Sequence, residues 1–144
     1  MPGHPEETVV RAAESPVGAW LGIETIGTSE GEAILHMPTR REMEDSAQAV
    51  HGGFIALLAD SAMARAMGTV PTAGSRHYGF DLKLNFVAAG RIGEDLRAVA
   101  RVLHSGRRTG VAECRVEGED GRLVATATAS FIVNQPESQR ADVD

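Results

Sequence analysis

A chain of 144 residues with 42% hydrophobic and 24% charged residues is long enough for one globular domain with a substantial core. Its net charge of −6 and its aromatic content of 4% argue against the basic surfaces and stacking platforms that nucleic-acid binding uses. The lone cysteine, Cys114, cannot form an internal disulfide, and no apolar run approaches the roughly 20 residues that cross a bilayer. We therefore expect a cytoplasmic protein without nucleic-acid or membrane partners.

The first third of the chain predicts a short helix and a hairpin. Residues 1–14 contain proline and acidic residues, and we expect this segment to be flexible. Residues 15–21 read as a cap followed by a helical turn, with proline at a first-turn position. Alternating residues over 21–26 and 32–37, with turn residues between them, predict two paired strands. A charged loop over residues 39–50 follows, of a length that is often functional.

One long helix is predicted next, from about Gly52 to Met67, ended by Gly68. It is apolar nearly all round, which is typical of a buried helix. Asp60 interrupts this apolar pattern, so we expect its carboxylate to be paired, placed at a cleft or chemically employed. Gly52 and Gly53 weaken the start of the helix by roughly 1 kcal/mol each relative to alanine, unless the bare backbone is needed there.

The remainder of the chain predicts strands. Apolar residues alternate with polar ones over residues 80–86, 96–102, 111–117 and 123–131, and short turns join these segments. Because short turns cannot make parallel crossovers, the sheet is antiparallel. We therefore predict an α+β fold in which a curved antiparallel sheet of about six strands wraps around the helix as one domain, residues 15–134. Residues 135–144 form a charged tail that we expect to be flexible.

The order of these elements, together with the helix motif, resembles a known family. His51, Gly52 and Gly53 open the helix, and Asp60 follows nine positions after the histidine. This arrangement resembles the hotdog-fold acyl-CoA thioesterases of the phenylacetic-acid-degradation type. The resemblance extends over residues 20–133 and includes the strand 81–86, the Gly-Glu-Asp sequence at 93–95 and the turn at 105–108. It implies hydrolysis of an acyl-CoA thioester without a metal or redox cofactor.

The resemblance also implies roles for the helix residues. The backbone amide of Gly52 or Gly53 would stabilise the oxyanion, and Asp60 would act as base or nucleophile. Gly52 and Asp60 are eight residues apart, which is roughly 12 Å along a helix axis, so one carbonyl cannot contact both on the same helix. The enzyme interpretation therefore predicts an obligate dimer, or a tetramer built from dimers, in which each site combines Gly52 of one subunit with Asp60 of another.

Other interpretations of the same residues stay open. The paired glycines also fit a tight entry of the helix into the sheet, and Asp60 also fits an ion pair with an arginine on a facing strand. His51 fits a cap or an orienting residue better than a catalytic base. Arg107 and Arg108 fit either CoA phosphate binding or two solvated charges on a hairpin. Phe54 lines the acyl pocket in one interpretation and belongs to the core in the other.

Two positions depart from the family pattern. Asp45 stands where the family usually has asparagine, and a second carboxylate beside Asp60 would raise the pKa of one of them and hinder a charged base. Gly79, with Tyr78 beside it, occupies the strand position where many members have a serine or threonine. These departures favour an alternative function, a non-catalytic protein that binds an acyl-CoA or another small ligand on the same fold. No histidine spacing indicates a metal site, and none is predicted.

Overall fold

Two helices and six strands make up the computed structural model, which describes residues 15–70 and 76–134. The segments expected to be flexible, residues 1–14 and 135–144, lie outside the described residues. The elements are, in chain order, α1 (Pro16–Leu21), β1 (Glu24–Ser29), β2 (Glu32–Pro38), a 3-10 turn (Arg41–Met43), α2 (Gly52–Met67), β3 (Arg76–Phe86), β4 (Asp95–Ser105), β5 (Thr109–Glu117) and β6 (Leu123–Asn134).

The strands form one sheet in the order β1-β2-β4-β5-β6-β3, and every neighbouring pair is antiparallel. This confirms the predicted hotdog architecture of an antiparallel sheet around one main helix. The long helix begins and ends where the sequence predicts, at Gly52 and Met67. Within the described residues, no helix is both long and apolar enough to cross a bilayer.

The first strand differs from its prediction at both ends. Leu21 belongs both to the predicted helical turn and to the predicted strand; it is the last residue of α1, which Ser15 caps at its start, so the helical prediction is confirmed. Gly22 follows with a φ of 73°, a conformation that ends the helix and that glycine adopts without strain. The strand β1 therefore begins only at Glu24, and the turn shrinks to the residues around Gly31, whose φ is 78°.

The core lies between α2 and the sheet, and α2 packs mainly across β2, β4 and β5. Small residues on α2 allow this close approach, since Ala59, Ala62 and Ala66 are fully buried beside Met63 and Met67. The helix is nevertheless less enclosed than its sequence predicts. The sheet covers one side of it, and a stripe that contains Gly53, Asp60 and Ala64 stays exposed. Asp60 is therefore a carboxylate on an open helix face, not one buried among apolar residues.

Strand β3 forms one edge of the sheet. It pairs with β6 along its whole length, and its other edge has no strand partner among the described residues. Large apolar side chains on this strand face the solvent, with exposed fractions of 49% for Tyr78, 59% for Phe80 and 42% for Leu82. A long edge strand with exposed apolar side chains is a surface on which another chain can pair.

Candidate active site

At the start of α2, one glycine amide donates a hydrogen bond and the other does not. His51 is the N-cap of the helix, and its Nδ1 accepts a hydrogen bond of 2.9 Å from the Gly53 amide. Among the described residues, the Gly52 amide has no hydrogen-bond acceptor. Because the first amides of a helix point outward and carry positive potential, Gly52 is the better placed of the two glycines to donate to an oxyanion. The position of His51 matches its expected role as a cap.

Gly52 borders a cleft of about 430 Å³, which we call the Gly52 cleft; it is also lined by Asp45, Val50, Phe86, Ala89 and Gly90. The Phe86 ring lies against the Gly52 Cα so closely that a Cβ at this position would be 3.0 Å from Cζ. This close approach is compatible with a tight entry, and a Cβ at residue 52 would require the exposed Phe86 ring to shift by a few tenths of an ångström. The free amide on the same residue is compatible with the oxyanion role as well.

Asp60 lies in a second cleft of about 570 Å³, the Asp60 cleft, which is also lined by Ala64, His77, Tyr78, Gly79 and Phe131. Within the described residues, its carboxylate makes no hydrogen bond or ion pair, so the expected alternative of an arginine partner is not found there. Partial desolvation by the cleft walls raises the pKa of Asp60 above its usual range. An unpaired carboxylate with a raised pKa at a cleft is a candidate for general-base or nucleophilic chemistry.

One chain does not bring Gly52 and Asp60 together. They lie in separate clefts, at the first residue of α2 and two turns further along it. Strand β3 borders both clefts, since Tyr78 and Gly79 line the Asp60 cleft and Phe86 lines the Gly52 cleft. The two candidate catalytic groups are thus arranged as two half-sites along a single helix and a single edge strand.

Asp45 lies in the Gly52 cleft and not beside Asp60 of the same chain. Its Oδ1 accepts hydrogen bonds from the amides of Ala49, at 3.0 Å, and Ala47, at 2.8 Å. These two bonds hold the pKa of this carboxyl below its usual range. Asp45 therefore adds a negative charge to the cleft in which Gly52 presents its amide.

The residues expected to bind substrate are spread over the molecule. Arg107 and Arg108 are exposed in the β4–β5 hairpin, at the end of the sheet where α2 finishes. Both arginines lie on the same side of the molecule as Asp60. The strand register shows this, because Gly110, which follows the hairpin turn, pairs with Phe131, and Phe131 pairs with Gly79 of the Asp60 cleft. Tyr78 lines the Asp60 cleft, whereas Phe54 is partly buried against the core and lines neither cleft.

His77 is a further cleft residue, to which the spacing of the histidines assigns no role. It borders the Asp60 cleft, and its Nε2 is a buried side-chain atom without a hydrogen-bond partner. Burial lowers the pKa of His77. Residues 77 and 79 are two positions apart on one strand and therefore lie on the same face of the sheet. This alternation is the sequence signal that would have placed His77 near Gly79. Among the described residues, no group of three potential ligands is arranged for a metal ion.

The outer face of the sheet carries another depression, lined by charged residues that include Glu32, Arg101, Glu113 and Arg115. Arg101 and Glu113 pair with each other at 2.7 Å. Cys114 borders this depression, but burial raises the pKa of its thiol to about 12, so it is an unreactive packed thiol.

Comparisons with known proteins place the chain in a family. The model of the thioesterase superfamily matches residues 47–125, which include α2 and most of the residues that line the two clefts. The acyl-coenzyme A thioesterase PaaI of Escherichia coli is 32% identical over 105 residues, or 73% of each chain. The structure of the E. coli PaaI protein, from the phenylacetic acid degradation operon, matches with a TM-score of 0.79 at 28% identity, covering 83% of this chain and 85% of that one. A conserved Pseudomonas aeruginosa protein matches with a TM-score of 0.78 at 28% identity, covering 83% and 94%.

Proposed function

Because the chain belongs to the thioesterase superfamily and is a thioester hydrolase, we propose that it hydrolyses an acyl-CoA to a free acid and CoA in a site shared by two subunits. The observation that carries the proposal is the placement of an uncommitted Gly52 amide and an unpaired Asp60 carboxylate in separate clefts of one helix. Neither cleft contains both groups that the reaction needs, and a two-fold related copy supplies the missing one.

The proposed reaction uses the two groups in complementary ways. The Gly52 amide donates a hydrogen bond to the thioester carbonyl oxygen and stabilises the negative charge that develops on it. Asp60 of the partner subunit either attacks the carbonyl carbon or takes a proton from the attacking water. The carbon–sulfur bond then breaks, and the CoA thiolate leaves and takes up a proton, which Asp60 returns if it acted as the base. If Asp60 attacks directly, water then hydrolyses the mixed anhydride that forms, which releases the acid and restores the Asp60 carboxylate. We assign no metal or redox cofactor to this hydrolysis, and the cytoplasmic location expected from the sequence is part of the same proposal.

The free edge of β3 is the proposed dimer interface. Its first half walls the Asp60 cleft and its last residue, Phe86, walls the Gly52 cleft. Antiparallel pairing of two copies of β3 about a two-fold axis would place the end of one strand beside the start of the other. Each Gly52 cleft would then adjoin the partner's Asp60 cleft. A dimer of such dimers accounts equally well for a tetramer.

CoA binding follows from the same arrangement. Arg107 and Arg108 are exposed on the side of the molecule that carries Asp60. In the proposed dimer they would lie, like Asp60, beside the partner's Gly52 cleft, where the CoA chain enters. Their guanidinium groups are suited to phosphate oxygens, because arginine donates two parallel hydrogen bonds to such groups.

Complementation between two inactive variants tests the shared site. Asp60→Asn removes the carboxylate. Gly52→Pro removes the amide, and proline is tolerated at the first helical position. We expect each homodimer to lose at least about 99% of kcat, since each lacks a group worth a factor of at least about 100. A heterodimer purified through two different affinity tags contains one intact site and is expected to recover about half of the wild-type activity.

Gly52→Ala is the matched control for Gly52→Pro. Both variants place a carbon against Phe86, but only the alanine variant keeps the amide, so the difference between them measures the amide itself. Thiol release from a panel of acyl-CoAs gives the rates. An inactive heterodimer from two folded, inactive parents would contradict the shared site.

A non-catalytic ligand-binding protein is the second candidate function, and Asp45 and Gly79 are the observations that favour it. In that case calorimetry would show CoA or acyl-CoA binding, while the wild-type protein would release no thiol from any member of the panel.

A further inference from the structure

A buried ion pair joins the β3–β4 loop to the β5–β6 hairpin turn beside the Gly52 cleft. Arg122 donates through Nη2 to Glu94 Oε2 at 2.7 Å, and the side chains are only 20% and 9% exposed. Glu94 also accepts from the Arg91 amide at 2.6 Å and the Glu119 amide at 3.1 Å. Burial opposes the charged form of Glu94, but these hydrogen bonds outweigh it and hold the pKa of Glu94 below its usual range.

The pair acts on one wall of the cleft. Arg122 Nη2 donates a second hydrogen bond, of 2.9 Å, to the Ala89 carbonyl, while Glu94 holds the Arg91 amide. Between these two anchored residues, the Gly90 carbonyl accepts the Val50 amide at 2.9 Å. Ala89, Gly90 and Val50 all line the Gly52 cleft, and Val50 directly precedes the N-cap of α2.

The contacts on both sides of this wall are close. A Cβ on Gly90 would be 3.1 Å from the Val50 Cβ, so the wall lies directly against the segment that starts α2. A Cβ on Gly118 would collide with Glu94 Oε1, so the absence of a side chain there leaves room for the carboxylate. Arg122 is further oriented by Asp120, whose Oδ1 accepts from Nη1 at 2.8 Å.

We infer that Glu94 and Arg122 are positioning residues for the Gly52 cleft, because they fix the wall formed by residues 88–90 at a set distance from the Gly52 amide. A buried ion pair adds little net stability compared with apolar packing, but its fixed fork of hydrogen bonds defines position well. The inference rests on the proposed function, in which this cleft receives the thioester carbonyl. It assigns a role in the reaction to residues of the β5–β6 hairpin and the loop before β4, which contact neither proposed catalytic group.

Hydrogen exchange tests the positioning directly and without reference to activity. Arg122→Lys keeps the charge and loses the fork, and Glu94→Gln keeps the shape and loses the charge. In both variants we expect exchange of the Val50 and Arg91 amides to accelerate at least about tenfold, with exchange in the middle of α2 unchanged. The matched controls are Arg101→Lys and Glu113→Gln, which alter the exposed pair on the outer sheet face in the same way.

Kinetics tests the consequence for the reaction. The rate of thiol release is divided by the number of CoA-binding sites that calorimetry counts, so that unfolded molecules do not lower kcat. We expect kcat per site to fall at least about tenfold in both variants, with KM changed less than about threefold and the controls unaffected, because small misplacements of reacting groups are costly.

Unchanged exchange at Val50 and Arg91, or a loss of activity explained entirely by lost binding sites, would show that the pair is only structural. Absence of any wild-type turnover would instead overturn the proposed thioesterase, and the exchange result would still decide whether the pair fixes this wall.

Discussion

Gly79 lies opposite Asp60: a Cβ built on Gly79 would be 4.0 Å from Asp60 Oδ1 and 3.7 Å from the nearest atom of the Phe131 ring. Both distances are ordinary contacts, so this site accepts a small side chain. A serine hydroxyl would extend from that carbon within reach of the carboxylate, which makes no hydrogen bond of its own within the described residues. The glycine thus leaves the proposed catalytic carboxylate without a neighbour to orient it.

Gly79→Ser is therefore expected to increase kcat, by up to about tenfold, because the hydroxyl would hold the carboxylate in one orientation and small misplacements of reacting groups are costly. Thiol release at saturating acyl-CoA measures the effect. Gly79→Ala fills the same space without a hydroxyl and is expected to leave kcat within about twofold. Equal rates in the serine and alanine variants would show that a hydroxyl here does not act on Asp60.

The pH dependence of the reaction is expected to report the raised pKa of Asp60. The carboxylate must be charged to act, so kcat/KM should fall as the pH drops through the pKa of Asp60. Because desolvation raises this pKa, the acidic limb should lie above the ordinary aspartate value of about 3.9. A pH profile with several acyl-CoAs measures it, and an acidic limb at or below the ordinary value would contradict a desolvated catalytic carboxylate.

Asp60 is also expected to reduce stability at neutral pH. With a raised pKa, the folded protein binds this proton more tightly than the unfolded chain, so stability increases as the pH falls and the charged form costs free energy at pH 7. Asp60→Asn should therefore raise Tm at pH 7 while abolishing activity, and the gain should shrink toward pH 3.5. Thermal unfolding at both pH values tests this, and a lower Tm for the variant at pH 7 would be the opposite result.

Local signals in the sequence were sufficient for the main helix. His51 caps α2 and Gly68 follows its last residue, so both helix ends have chemical markers within one turn. The sequence also made Gly52 and Asp60 the candidate residues, and their spacing alone predicted the separation that the structure shows. What it did not reveal depends on contacts distant in the chain. The exposed stripe on α2 exists because β3 lies at the sheet edge, and alternation within β3 does not determine which strand pairs with it.

The same limit applies to the supporting residues. Arg122 and Glu94 are 28 positions apart and meet only because the β3–β4 loop and the β5–β6 turn adjoin at one end of the sheet. Phe86 contacts Gly52 from the last position of β3, the strand that follows the helix in the chain. Sequence periodicity does not predict such pairs. The three-residue motif at the helix start can be recognised because its residues are consecutive in the chain.

A charge on the free edge of β3 is expected to separate the subunits. Leu82 is 42% exposed in the middle of this strand, and glutamate there would place two negative charges near the proposed two-fold axis. Leu82→Glu should yield a monomer by light scattering and lose at least about 90% of kcat, since each site would lose its second subunit. Leu103→Glu, at a 50% exposed leucine on β4, is the matched control and should leave both mass and rate unchanged. An active Leu82→Glu monomer would contradict the shared site.

The negative charge of Asp45 is expected to raise the pKa of the catalytic carboxylate in the shared site. It lines the cleft that presents the Gly52 amide, and in the proposed dimer the partner subunit's Asp60 enters that cleft. Two carboxylates in one site raise the pKa of one of them, and the backbone hydrogen bonds that hold the pKa of Asp45 low make Asp60 the group that is raised. Asp45→Asn keeps an acceptor for the Ala47 and Ala49 amides and removes the charge. The acidic limb of kcat/KM should therefore move to lower pH, by up to about one unit. Glu113→Gln removes the same charge from the outer sheet face and should leave the limb in place. Equal profiles for both variants and the wild type would show that Asp45 and the partner's Asp60 do not share a cleft.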